Sequence, residues 1–257
     1  MTVASIVLLV YDYMLTLDSE LLLIWASRWN LVKALFLLVR YMPFIDMALL
    51  TFYLTRNGTA HTAACGITFQ TSAWLFAVGT SVAEILLTIR TWACWDKAQW
   101  LTIGLPIFFL VNWAIVYVFL GLFIRSVEFI RPPRYANPAG CFHVGANPIF
   151  VACWAAIMVY HAGLLLLMGI RGFSTLNGMR KETLSKVVYR DGLIYYFLLF
   201  GLSLGNLVII VCLPYRYVNL FTTLERVMYS VLTCRAILHI RKQNMFETTS
   251  WSFDLSV

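Results

Sequence analysis

The sequence predicts an all-α integral membrane protein, a bundle of seven transmembrane helices with the N-terminus outside and the C-terminus cytoplasmic. Three observations predict it. Hydrophobic residues make up 61% of the 257 positions and charged residues 12%, with a mean hydropathy of +0.80, whereas about a quarter of a soluble domain is charged. The apolar residues gather into runs between turn signals, and a helix needs about 20 such residues to cross a hydrocarbon core of about 30 Å. The basic residues favour one side of those runs, as a cytoplasmic face requires.

The runs place helices over residues 3–22, 31–54, 66–90, 98–124, 149–170, 193–213 and 218–240. The first, built on SIVLLVYDYMLTL, is short for a span and is followed by Asp18 and Glu20. As a signal peptide it would want a basic residue before it and an uninterrupted apolar stretch. It has neither, since Tyr11, Asp12 and Tyr13 break its second half, so a retained helix is expected. The stretch from Ser19 to Trp29 suits an interfacial position, with Trp25 and Trp29 at headgroup level. The second helix holds Arg40, Pro43 and Asp46, and the proline loosens it. The third holds Glu84 and ends at Arg90, and the fourth holds Asn112. The connection after it contains Pro132, Pro133, Pro138 and Pro148, cannot be one continuous helix, and suits a lid over the bundle. Tyr160 and His161 fall in the fifth helix. Asp191 looks like the cap of the sixth, where Gly201 and Gly205 permit close helix approach and Asn206 follows. The seventh carries Glu225 and Arg226. No repeat or second soluble domain is visible, so residues 1–244 read as one membrane domain and 245–257 as a short cytoplasmic tail.

Orientation follows from the 19 Lys and Arg residues. With the N-terminus outside, twelve lie on the cytoplasmic side, from Arg28 and Lys33 to Arg241 and Lys242; five lie opposite, and Arg40 and Arg226 lie within helices. That bias fits the positive-inside rule. The same topology places the glycosylation acceptor Asn57-Gly58-Thr59 outside. Cys65 and Cys141 fall on that oxidising side too, where a disulfide between them and free buried thiols are both open readings. The net charge of +7 does not point to nucleic acid, because the basic residues never gather into a basic domain with interleaved aromatics.

Several segments resemble a known group. YDYMLTL with the charged pair after it, IWASRWNLVKALFLLVRYMPF, CGITFQTSAW, VVYRDGLIYYF and SVLTCRAILHIRK together resemble the uncharacterised multi-pass membrane proteins abundant in mushroom-forming fungi. The resemblance runs through most of the chain and departs at Cys234, where that family usually has Ser before the Arg. It implies a membrane location and a seven-helix fold, and brings no activity, ligand or catalytic residue.

Charges inside lipid cost a few kcal/mol each, at about the level set by helix insertion, so they mark candidate sites. Asp12, Arg40, Asp46, Glu84, Glu225 and Arg226 are such positions, with His161. Asp12 and Glu84 are expected near the depth of Arg40, and Asp46 near that of Arg226. Structural ion pairs and a signalling or proton-linked switch are the two readings. Asn112, Tyr160, His161 and Asn206 would line a pocket for a small ligand, or else bond neighbouring helices as packing contacts. Arg90 has the place of a cytoplasmic switch, although Ile89 precedes it instead of an acid. The basic loop 171–192 would meet a cytoplasmic protein or anionic lipid, or act only as a positive anchor.

A receptor-like sensor of a small ligand is the leading functional expectation, with a transporter or channel as the alternative. An enzyme is not expected: no HExxH or GxSxG occurs and the four His residues are dispersed. No metal or cofactor is expected either, and Lys33, Lys97, Lys181, Lys186 and Lys242 all lie at helix ends or in loops, so none suits a retinal Schiff base. The expected partners are the lipid bilayer of the plasma membrane or an endomembrane, a small-molecule ligand, and a cytoplasmic protein at loop 171–192, with no nucleic acid.

Overall fold

In lipid, backbone N–H and C=O groups find no water, so long apolar runs close their hydrogen bonds internally as helices. A computed structural model describes the backbone of residues 2–55, 62–129, 143–144, 148–178, 183–212 and 218–254. Among them stand seven α-helices: α1 (Thr2–Glu20), α2 (Leu31–Thr55), α3 (Thr62–Cys94), α4 (Gln99–Ser126), α5 (Pro148–Gly178), α6 (Thr183–Cys212) and α7 (Val218–Asp254). A π-helical turn, Leu21–Trp25, continues α1. Extended structure among the described residues is confined to a two-residue antiparallel ladder of β1 (Glu128–Phe129) and β2 (His143–Val144), with Glu128 opposite Val144.

Five of the helices, α2 to α6, are long and apolar enough to cross a membrane. Their outward side chains, among them Ile103, Ile107, Leu110, Val118, Leu166 and Phe197, are exposed. An apolar surface that extensive fits lipid and not water. α1 and α7 differ in carrying Asp12, Asp18 and Glu20 in one and Glu225, Arg226 and Arg235 in the other.

Helix ends depart from the sequence expectation. α5 runs on to Gly178 and α6 starts at Thr183, so most of the segment 171–192 is helical and Asp191 lies inside α6 instead of capping it. α7 likewise continues to Asp254, which makes most of 245–257 a helical extension. The apolar run ends where the membrane would, but the backbone has no reason to stop there without a proline or a cap.

α3 is central and touches α2, α4, α5 and α7, while α1 lies against α7 more than against α2. Local contacts fix the chain at two key points. Asn30 Oδ1 accepts from the Lys33 backbone N–H at 2.8 Å and caps α2, and Lys33 Nζ donates to the Trp25 and Ser27 carbonyls at 3.0 and 2.8 Å. Within α2, Pro43 has no N–H to give the Val39 carbonyl one turn back. Ser230 of α7 takes that place, donating to Val39 O at 2.9 Å.

Candidate functional site

Four-residue spacing places Asp12, Thr16 and Glu20 on one face of α1. Arg40 of α2 meets all three. Its Nη1 lies 3.0 Å from Asp12 Oδ2 and its Nε 3.1 Å from Glu20 Oε2, and Nη2 donates to Thr16 Oγ1 and, at 3.3 Å, to the Tyr13 carbonyl. The remaining carboxylate oxygens are also used. Glu20 Oε1 accepts from the Tyr41 hydroxyl at 2.9 Å and Trp25 Nε1 at 3.1 Å, and Asp12 Oδ1 accepts from Arg235 Nε of α7 at 2.6 Å. Two carboxylates thus face two guanidinium groups. Such saturation is what makes buried charge tolerable.

A second pair joins α2 to α7, where Arg226 Nε donates to Asp46 Oδ2 at 2.7 Å. The guanidinium lies against Gly79 of α3, where any Cβ would collide with it.

The third group fills the centre and draws on five helices. Glu84 of α3 accepts from Trp113 Nε1 of α4 at 2.7 Å, and its other oxygen lies 3.2 Å from His161 Nε2 of α5. Ser203 of α6 donates to Glu225 Oε1 of α7 at 2.6 Å, and Asn206 Nδ2 donates to Glu225 Oε2 at 2.6 Å. The Ser203 oxygen also lies within hydrogen-bond distance of His161 Nδ1, at 2.9 Å. Tyr229 bonds the other ring nitrogen. Ser203, His161 and Glu84 therefore stand in a nucleophile, base and acid order. The serine is wholly buried and its hydrogen is committed to Glu225, so the arrangement acts as a hydrogen-bonded clasp between helices. Among the described residues no group of three or more His, Cys, Asp or Glu is arranged to hold a metal ion.

These contacts separate residues that the sequence reading grouped. Glu84 belongs with His161 and Trp113, not with Arg40. The expected pocket of Asn112, Tyr160, His161 and Asn206 does not form as one site. His161 and Asn206 join the central group, Tyr160 bonds Thr88 at 2.5 Å and stacks on Phe108, and Asn112 is buried with its Nδ2 unpartnered among the described residues. These side chains rotate onto different faces of their helices, which spacing along the chain does not specify. Arg90 is largely buried, with its guanidinium 5.7 Å from the Tyr195 ring and 6.0 Å from that of Tyr196. Asn57, Cys141 and the side chain of Cys65 lie outside the described residues.

A cavity of about 150 Å³ does exist, in the half of the bundle nearest the α2–α3, α4–α5 and α6–α7 connections. It is bounded by α2, α3, α4, α5 and α7, and Asp46 and Trp113 are in its wall. Each of these two also bonds a buried charge, Arg226 in one case and Glu84 in the other. Residues missed by sequence reasoning include Glu20, Trp113, Ser203 and Tyr229. Of these, Glu20 carried a signal, its four-residue spacing from Thr16 and eight from Asp12.

Residues 1–45 match the model of a family of unknown function, DUF6533. The match covers α1 and much of α2, and so includes Asp12, Glu20 and Arg40. No curated protein and no solved structure matches the chain.

Proposed function

We propose that all seven helices span the membrane, with the N-terminus outside and the C-terminus in the cytosol, and that the bundle is a receptor-like sensor of a small ligand without catalytic activity. One observation carries the proposal. The cavity wall is made in part by Asp46 and Trp113, which are bonded directly to the buried Arg226 and Glu84. An occupant that displaced either side chain would change the partners of a buried charge, and such groups have few alternative arrangements. From Glu84 the contacts continue along α3, where Thr88 meets Tyr160 and Thr91 meets Tyr196, toward Arg90. The lipid-facing helices support the membrane part of this reading. The basic stretch 171–192 then faces the cytosol as extended helix ends, where a partner protein would dock.

The test removes one link without emptying the cavity. Trp113→Phe keeps an aromatic wall but deletes the bond to Glu84. Spin labels at Lys97, in the turn just after α3, and at Ile194 of α6 read the spacing of these elements at the opposite end, and a changed distance distribution in the variant is the expected result. An unchanged distribution would sink the sensor reading. The second reading, a transporter or channel, draws on the carboxylates Glu84 and Glu225 joined through His161. Proton or ion flux in proteoliposomes that disappears in Glu225→Gln would favour it.

A further inference from the structure

The cavity has the volume of one that takes up a single benzene molecule, about 150 Å³. Leu50, Phe76, Val116, Phe123, Phe150 and Ile157 make most of its wall apolar. An entirely apolar wall would suit a hydrocarbon, but this wall also contains Asp46, Ser72 and Trp154. In each of the three a buried polar atom, Asp46 Oδ1, Ser72 Oγ or Trp154 Nε1, has no hydrogen-bond partner among the described residues. Buried polar atoms in folded proteins are seldom left so. The three offer both kinds of hydrogen bond: the carboxylate accepts, the indole donates and the hydroxyl does either.

The charge of the occupant is also constrained. Asp46 is already matched by Arg226 at 2.7 Å. A cation beside Asp46 would meet the guanidinium, and an anion beside Arg226 would meet the carboxylate, so neither gains a free counter-charge in a low-dielectric site.

We propose that the cavity binds an uncharged molecule with an apolar body about the size of one benzene ring and a hydroxyl group. The hydroxyl bonds within the set formed by Asp46, Ser72 and Trp154, while the ring lies against Trp113, Val116 and Phe123. Its role as a stimulus rests on the sensor reading, but binding is measurable without it.

Fluorine NMR of 4-fluorophenol and fluorobenzene, each titrated into the full chain in phosphatidylcholine nanodiscs, tests this directly. Empty nanodiscs correct for partition into lipid. The expected result is saturable binding of 4-fluorophenol, with fluorobenzene weaker by about tenfold, the worth of roughly one hydrogen bond. Ala77→Leu and Val116→Phe, two independent ways of filling the cavity, abolish the binding in variants that keep the wild-type gel-filtration profile. Ser72→Ala and Trp154→Phe reduce the affinity for 4-fluorophenol and leave that for fluorobenzene unchanged. Equal affinity for both probes overturns the hydroxyl assignment, and binding that survives both filling substitutions, or no saturable binding at all, overturns the site. Binding without any change in the Lys97 to Ile194 spacing leaves the site intact and removes the sensor reading. A spacing change in Trp113→Phe with no binding of either probe does the reverse.

Discussion

Arg226 can lie across the bundle because Gly79 has no side chain to exclude it. Its guanidinium is fully buried and its Nε is tied to Asp46, so the head is not free to swing away from an added methyl group. Gly79→Ala is therefore expected to lower the thermal unfolding midpoint, by an overpacking cost of about 1–3 kcal/mol. Arg226→Lys, lacking the planar fork, should absorb much of that added cost in the double variant. Additive effects in this cycle would show that the two residues do not touch. Breaking the pair from either side is costlier. Asp46→Arg and Arg226→Asp should each lose folded yield, consistent with about 3–5 kcal/mol for orphaning a buried charge, and the double reversal should recover part of it. At this scale the sequence was partly legible. Residues four apart mark a shared helix face, as with Asp12, Thr16 and Glu20, or with Arg226 and Ser230. The partner of Glu84 was not legible, because which side chain on α5 it meets depends on how each helix is rotated about its own axis.

Between helices, the bond from Ser230 to the Val39 carbonyl depends on the proline four residues further along α2. Ser230→Ala should leave that carbonyl unsatisfied and destabilise the protein by about 1–3 kcal/mol. Pro43→Ala gives the carbonyl its helical donor back, so adding Ser230→Ala to that variant should cost much less. Equal costs in the two backgrounds, measured as unfolding midpoints, would show that the hydroxyl does not replace the missing helix bond. Long apolar runs announced α2 to α6, since hydropathy records the membrane crossing itself. It does not record where a helix stops. α5 passes through Gly172 and Asn177, and α7 through the charged residues after Ile240, because nothing in those stretches breaks the backbone pattern. The cavity was illegible for a different reason. It is the space left over after five helices pack, and none of its wall residues is unusual alone.

At the scale of the whole molecule, topology is the property with the most consequences. The proposed orientation predicts that Asn57 carries an N-linked glycan when the chain is made in microsomes, and that protease added to the sealed microsomes removes the segment after Lys242. An unglycosylated Asn57 together with a protected tail would invert the bundle and put the cavity on the cytosolic side. Charge distribution is the sequence signal behind the proposed orientation, whereas the neighbour of α1 has no such signal, because adjacency in the chain suggests α2 and the packing favours α7. That adjacency bears on how the protein is made. The first two helices emerge from the ribosome with two buried carboxylates, Asp12 and Glu20, against the single guanidinium of Arg40. Arg235, which bonds the second oxygen of Asp12, follows 223 residues after it. With Asp46 of α2, whose partner is Arg226, this opening hairpin holds three buried acids against the one guanidinium of Arg40 until α7 brings Arg226 and Arg235. Docking of α7 supplies both missing counter-charges, so the helix that arrives last is the one that makes the acids of α1 and α2 tolerable in the bilayer.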